Sequence, residues 1–331
     1  MTDARETDTE PWWGTGAAAT QCEGVAPRAD WAGWESEGWV PASGDGNGFR
    51  TRYADDLALW AEHGLRRYRL TIEWSRLEPY EGQWDQTAVD HVRSVLRAAG
   101  DAGVEAWACL LHGSAPGWFT DDQRGWLDDK AARLAWPRYV DRVAEEVGDL
   151  VAGWVPIHEP DLQARLGYLD GTFPPGRRDD ADHRDALAAL RRAEDEAARL
   201  LRGGGRPVAV SARLDERAGA GERGADLLVV SAPVTEIEPA LERAGDAPDA
   251  DDSELLVVTG DPDTGADPDQ RAVRLRQARS VVAEAARGGL AVRGAFVLPA
   301  VDGYEWHRGF DAKLGLFDRD RNPRPSVAEL A

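Results

Sequence analysis

The sequence predicts an α/β fold, a (β/α)8 TIM barrel. Eight short apolar runs of β type recur along the chain, and amphipathic helical stretches separate most of them. Several of the runs are apolar at nearly every position, as parallel strands covered on both faces require. At 331 residues the length would suit two ordinary domains, but α/β barrels of this size fold as one unit. The expected organisation is a flexible tail over 1–10 and a single barrel domain over 11–331.

The elements follow in order. The first strand falls over 12–18 (WWGTGAA). A helix over 51–63 ends at Gly64, which suits a left-handed helix terminus. Strand two covers 67–72. The helix over 86–101 carries Val89, Val92, Val95, Leu96 and Ala99 on one stripe. Strand three covers 104–111, and the next helix, over 130–147, has Leu134, Tyr139, Val143 and Val147 on its apolar face. Strand four covers 153–158, followed by a helix over 183–202 and strand five over 206–211. The crossovers at 212–225 and 233–253 flank strand six (226–232) and are short or polar, the weakest part of the pattern. Strand seven covers 254–259. A helix over 269–287, closed by Gly288-Gly289, leads to strand eight at 291–298.

Composition excludes several classes. Hydrophobic residues at 42% and charged residues at 30% fit a globular chain and not a disordered one. No run approaches the 18 apolar residues of a membrane span. The polar, acidic start lacks a basic and an apolar signal region, so a cytoplasmic location is expected. The net charge of −21 repels phosphate backbones and anionic lipid, so neither nucleic acid nor membrane is an expected partner. Cys22 and Cys109 make no disulfide framework or zinc motif and read as reduced core thiols. Thirteen of the 14 tryptophans lie at or before Trp154, and only Trp306 follows.

A barrel builds its site from the loops after the C-terminal ends of its strands. His158-Glu159-Pro160 is the sharpest feature there. A Glu at a strand end in a half-apolar pocket suits a general acid/base; the plainer alternative is an ion pair with an Arg at the barrel mouth.

The surrounding residues resemble the family 1 glycoside hydrolases, the β-glucosidase-type retaining enzymes. Trp-Val-Pro-Ile-His-Glu-Pro at 154–160 is similar to the family's W-x-T-x-N-E-P block, with Gly167-Tyr168 and Pro175-Gly176 following at its spacing. Trp13-Gly14 with Gln21-Cys22-Glu23-Gly24, then Tyr68-Arg69 through Trp74-Ser75-Arg76, resemble earlier blocks. So do His112 with Pro116 and Trp118 and, near the end, Asp302-x-x-Glu305-Trp306. The resemblance implies a β-glycosidase acting on a small β-glycoside, needing no cofactor or metal, with Glu159 as acid/base and Arg69 beside the nucleophile. It implies that Gln21, Trp118, Tyr168, Glu305 and Trp306 contact sugar and that His112 belongs to the catalytic surroundings. It also offers sugar stacking as a reason for the many tryptophans, although core packing is the expectation for Trp60, Trp107 and Trp154.

The sequence departs from the family in one half of the pocket. The family's second carboxylate, a Glu after strand seven, aligns with Gly260. Asp261 lies one residue further on. It is a candidate nucleophile or base, although Gly-Asp-Pro-Asp is also strong turn chemistry. His158 replaces an Asn, Ser231-Ala232 an Asn-Tyr pair, Leu298-Pro299 a Trp-Ser pair and Gly113-Ser114 a Trp-Asp pair. Three readings follow: a divergent β-glycosidase; a non-hydrolytic elimination or isomerisation enzyme using Glu159, His158 and His112; and a sugar-binding protein without turnover. The same two histidines with Glu159 have the residue types of a metal site but no known metal spacing.

Overall fold

The computed structural model describes residues 10–330 except 123, 214–218, 247–252, 264 and 266. The tail expected over 1–10 therefore lies, apart from Glu10, outside the described residues. Eight strands are present: β1 (Trp12–Gly16), β2 (Arg67–Thr71), β3 (Glu105–Leu111), β4 (Gly153–Ile157), β5 (Ala209–Ser211), β6 (Leu227–Pro233), β7 (Glu254–Gly260) and β8 (Val292–Val297). They form one parallel sheet in the order β4-β3-β2-β1-β8-β7-β6-β5. A parallel bridge between Trp154 and Val208, with the Trp154 amide donating to the Pro207 carbonyl at 2.9 Å, joins the two ends. The result is a nearly closed (β/α)8 barrel.

Strand alternation sorts the side chains into two layers. Trp13, Tyr68, Leu70, Ala108 and Trp154 point outward into the main core against the helices. Trp107, Cys109, Val155, Val229, Leu256, Val258 and Phe296 fill the barrel interior, with Trp12 packed on them. The indole of Trp12 fits because residue 294 is glycine: a Cβ there would come within 2.2 Å of the ring.

The long helices are Phe49–Glu62, Gln86–Asp101, Asp129–Val147, Asp180–Arg202 and Pro268–Arg287. Aspartate side chains cap three of them. Asp85 accepts from the amides of Thr87 and Ala88, Asp128 from that of Ala131, and Asp179 from those of Ala181 and Asp182, each satisfying otherwise orphaned donors. One expected core residue is misplaced. Leu134 is 62% exposed, because the helix turns Ala132, Ala135, Trp136, Tyr139, Val140 and Val143 inward instead.

The two weak crossovers resolve differently. Helix Ile237–Gly245 supplies the second. The described residues of the first hold no helix. Arg213 and Arg223 instead pair with Glu194, at 3.3 and 2.6 Å, which fastens that connection to helix Asp180–Arg202.

The tryptophans are mainly core. Trp74, Trp118, Trp126 and Trp136 interlock with Phe119 and Tyr139, and Trp60 stacks on Phe49. Both cysteines are buried and unbridged. Among the described residues no helix is long and apolar enough to cross a membrane.

Candidate active site

A cavity of about 370 Å³ opens at the C-terminal ends of the strands. Gln21, His112, His158, Glu159, Asp261, Glu305 and Trp306 all line it. That volume falls in the range of small-ligand pockets, and the position is the one where barrels carry their sites.

Glu159 leaves β4 in a left-handed conformation, φ 47° and ψ 63°. A non-glycine residue there costs on the order of 1–3 kcal/mol, and such strain concentrates at functional sites. Local bonds hold the turn. The His158 amide donates to the Leu111 carbonyl, the Gln163 amide to the Glu159 carbonyl and the Gln163 side chain to the His158 carbonyl. Pro160 follows at the start of a short helix and disfavours a right-handed helical conformation before it. Burial raises the Glu159 carboxyl above its ordinary range; the charge of Arg69 and a hydrogen bond from Ser231 pull it partly back.

Arg69 comes from β2 and is fully buried. Its Nη2 meets His112 Nδ1 at 3.1 Å. A guanidinium only donates, so His112 Nδ1 accepts and the ring proton resides on Nε2. The rings of His112 and His158 lie 4.0 Å apart. Burial, then nearby positive charge, holds both far below the usual histidine range, so both are neutral at pH 7.

On the opposite wall Gln21 Nε2 donates to Glu305 Oε1 at 2.7 Å. Burial lifts the Glu305 carboxyl to about 7, against the charge of Arg308. Trp306 packs edge-on to Trp31 at 4.8 Å and against Phe173 at 5.0 Å. Gly113 (φ 80°) allows this approach: a Cβ there would lie 2.8 Å from the Trp306 ring.

Other expected residues have different surroundings. The Asp261 carboxylate is engaged by Arg274 at 2.9 Å and Arg271 at 3.7 Å and accepts from the Asp263 amide, the geometry of a turn. Gly260 ends β7 with its α-carbon against β8, where a Cβ would lie 2.7 Å from the Leu298 carbonyl oxygen. Trp118 does not line the cavity; its Nε1 donates to the Glu78 carbonyl inside the aromatic core. Tyr168 is 2% exposed, faces a separate small pocket beside Asp30 and likewise stays off the main cavity wall. Both sit where aromatic packing behind the loops needs bulk. Thr259, Leu162 and Leu314 also line the cavity. Among the described residues no group of three His, Cys, Asp or Glu is arranged to hold a metal.

A parallel eight-stranded barrel with a pocket at its strand ends is an architecture on which many different activities are built. Residues 41–218, more than half of the chain, match the model of Glycosyl hydrolase family 1, and the chain belongs to that family. Beta-glucosidase 21 of Oryza sativa subsp. japonica is 31% identical over 175 residues, 50% of this chain and 34% of its own length. Coniferin beta-glucosidase of Pinus contorta is 31% identical over 176 residues, with the same coverage of each chain. These alignments span about a third of the relatives' length. Over the whole barrel the chain superposes on a beta-glycosidase from Pyrococcus horikoshii with a TM-score of 0.85 at 23% identity, covering 96% of this chain and 92% of that one. A family 1 b-glucosidase from Thermotoga maritima gives a TM-score of 0.83 at 16% identity, covering 96% of each. At such identities the likeness is one of fold.

Proposed function

We propose that the chain acts on a small β-glycoside, with Glu159 giving its proton to the departing aglycone oxygen. The observation that carries this is Glu159 itself: a strained carboxyl at the end of β4, lifted by burial and lining a sugar-sized cavity. A proton donor needs an elevated pKa, and burial supplies it. Gln21, Glu305 and Trp306 offer the hydroxyl-binding groups and the aromatic face that a sugar requires.

Gly260 lies where the family resemblance puts the nucleophile, and Asp261 is held by two arginines. A carboxylate so engaged is a poor nucleophile, so turnover is expected to fall well below that of a two-carboxylate glycosidase. The same observation favours a second reading, sugar binding without turnover. Hydrolysis of an aryl β-glycoside by the wild-type chain, lowered roughly 10²–10⁴-fold by Glu159→Gln, is the expected result. If the wild type releases no aglycone yet still binds the glycoside, the second reading replaces the first.

A further inference from the structure

Among the described residues the most exposed large apolar side chain is Trp39, at 66%. It stands on the connection after β1, the same one that brings Gln21 to the cavity. Its backbone is held in place. Helix Asp30–Ser36 ends in a turn where the Glu37 amide donates to the Gly33 carbonyl, that of Gly38 to Glu35 and that of Trp39 to Trp34. The Trp39 ring meets Trp34 edge-on at 5.5 Å, and Trp34 stacks on Trp31 at 5.8 Å. Trp31 in turn packs on Trp306 in the cavity wall, so four indoles run from the cavity to solvent. The Gly176 backbone supports Trp34 from another side: a Cβ there would lie 3.0 Å from its ring. Among the described residues, Tyr80 is the other exposed Trp, Tyr or Phe, and the Arg28 guanidinium covers its ring at 4.6 Å. Trp39 has no cation over it, and Trp34 is its one aromatic neighbour among the described residues.

We propose that Trp39 is a stacking platform for a sugar unit outside the cavity, which makes the substrate class an extended glycoside of several units. This rests on the sugar reading of the cavity and carries it past the rim. A pyranose ring is apolar on its C–H face and polar around its edge, so it suits a flat indole with water around it. Glu37, two residues earlier, is exposed and in no ion pair among the described residues, and its carboxylate can accept from sugar hydroxyls. Other occupants fit less well. A stable protein partner needs about 800 Å² on each side, far more than one indole presents. A nucleobase would stack equally well, but the net charge of −21, with Glu35 and Glu37 in this turn, repels its phosphates.

The test is calorimetric titration of the full chain with methyl β-glucoside, cellotetraose and laminaritetraose, repeated on Trp39→Ala and Tyr80→Ala. Any probe that the wild type cleaves is titrated against the Glu159→Gln chain instead. At least one tetrasaccharide should bind roughly tenfold tighter than the monosaccharide glycoside. Trp39→Ala should remove that advantage and leave methyl β-glucoside unchanged, while Tyr80→Ala should alter neither. Three results would each overturn the platform: no tetrasaccharide binding tighter than methyl β-glucoside, an advantage that persists in Trp39→Ala, or an equal loss in Tyr80→Ala. Trp39 is exposed, so its variant should fold, and an unchanged melting temperature checks this. Failure of the cavity reading is seen separately. It shows as no binding of methyl β-glucoside, whereas a tetrasaccharide held through Trp39 would still establish the platform.

Discussion

Burial lifts the Glu305 carboxyl from 4.5 to about 7 while Gln21 holds one of its oxygens. A carboxyl raised on folding binds more protons in the native state than in the unfolded chain. Its contribution is therefore most favourable below about 4.5 and is lost as pH rises through about 7. Glu305→Gln should remove part of that loss, so the melting temperature of the variant relative to wild type should climb between pH 4.5 and 7. A difference that stays flat across that range would contradict the assignment. Asp30, raised to about 7 by burial despite accepting from Trp31, Ser114 and Ala115, adds a slope of the same sign that this variant keeps. At this scale, the place of Glu159 was readable in the sequence because a strand run ends just before it and a proline follows. The bonds of Asp261 to Arg271 and Arg274 were not, since only the fold of the loop after β7 against helix Pro268–Arg287 creates them. The places of Trp118 and Tyr168 were equally hidden, because an aromatic beside a site motif and one packed behind it look alike in sequence.

Elements were legible where periodicity was strong. The helix read over 86–101 is Gln86–Asp101 in the structure, and each of the eight strand runs overlaps an observed strand. Strand five was over-read at its start: it begins only at Ala209, because Pro207 has no amide to donate and Val208 gives its own to the Asp226 carboxylate. Within β8 the barrel interior depends on the missing side chain at Gly294. Gly294→Ala would drive a methyl group into the Trp12 indole. Overpacking of that kind costs about 1–3 kcal/mol, and urea denaturation should show a lower midpoint at unchanged slope. A stability equal to wild type would mean that Trp12 can swing away freely.

The whole molecule has one thin seam. Most neighbouring strands share several register pairs, whereas β4 and the start of β5 meet through the bridge at Trp154 and Val208. Hydrogen exchange should therefore release the Trp154 and Ser211 amides before that of Ile72, which donates to Cys109 between β2 and β3. Uniform protection around the barrel would show that the seam opens only with the rest. The tryptophan imbalance also acquires its cause at this scale. The front half of the chain builds the aromatic core outside β2, β3 and β4, and Trp306 is the tryptophan that lines the cavity.

The sequence by itself determined the barrel, the strand ends that line the cavity, and the place of Glu159 at one of them. Those features follow from local periodicity, turn residues and motif spacing, all of which lie within a few residues of one another. Only the tertiary structure decided that Arg69 is buried without a carboxylate, that two neutral histidines stand beside it, and that Asp261 is already paired. Burial and charge pairing depend on residues far apart in the chain, and closure of the barrel is what brings the ends of β3, β4, β6 and β7 to one cavity.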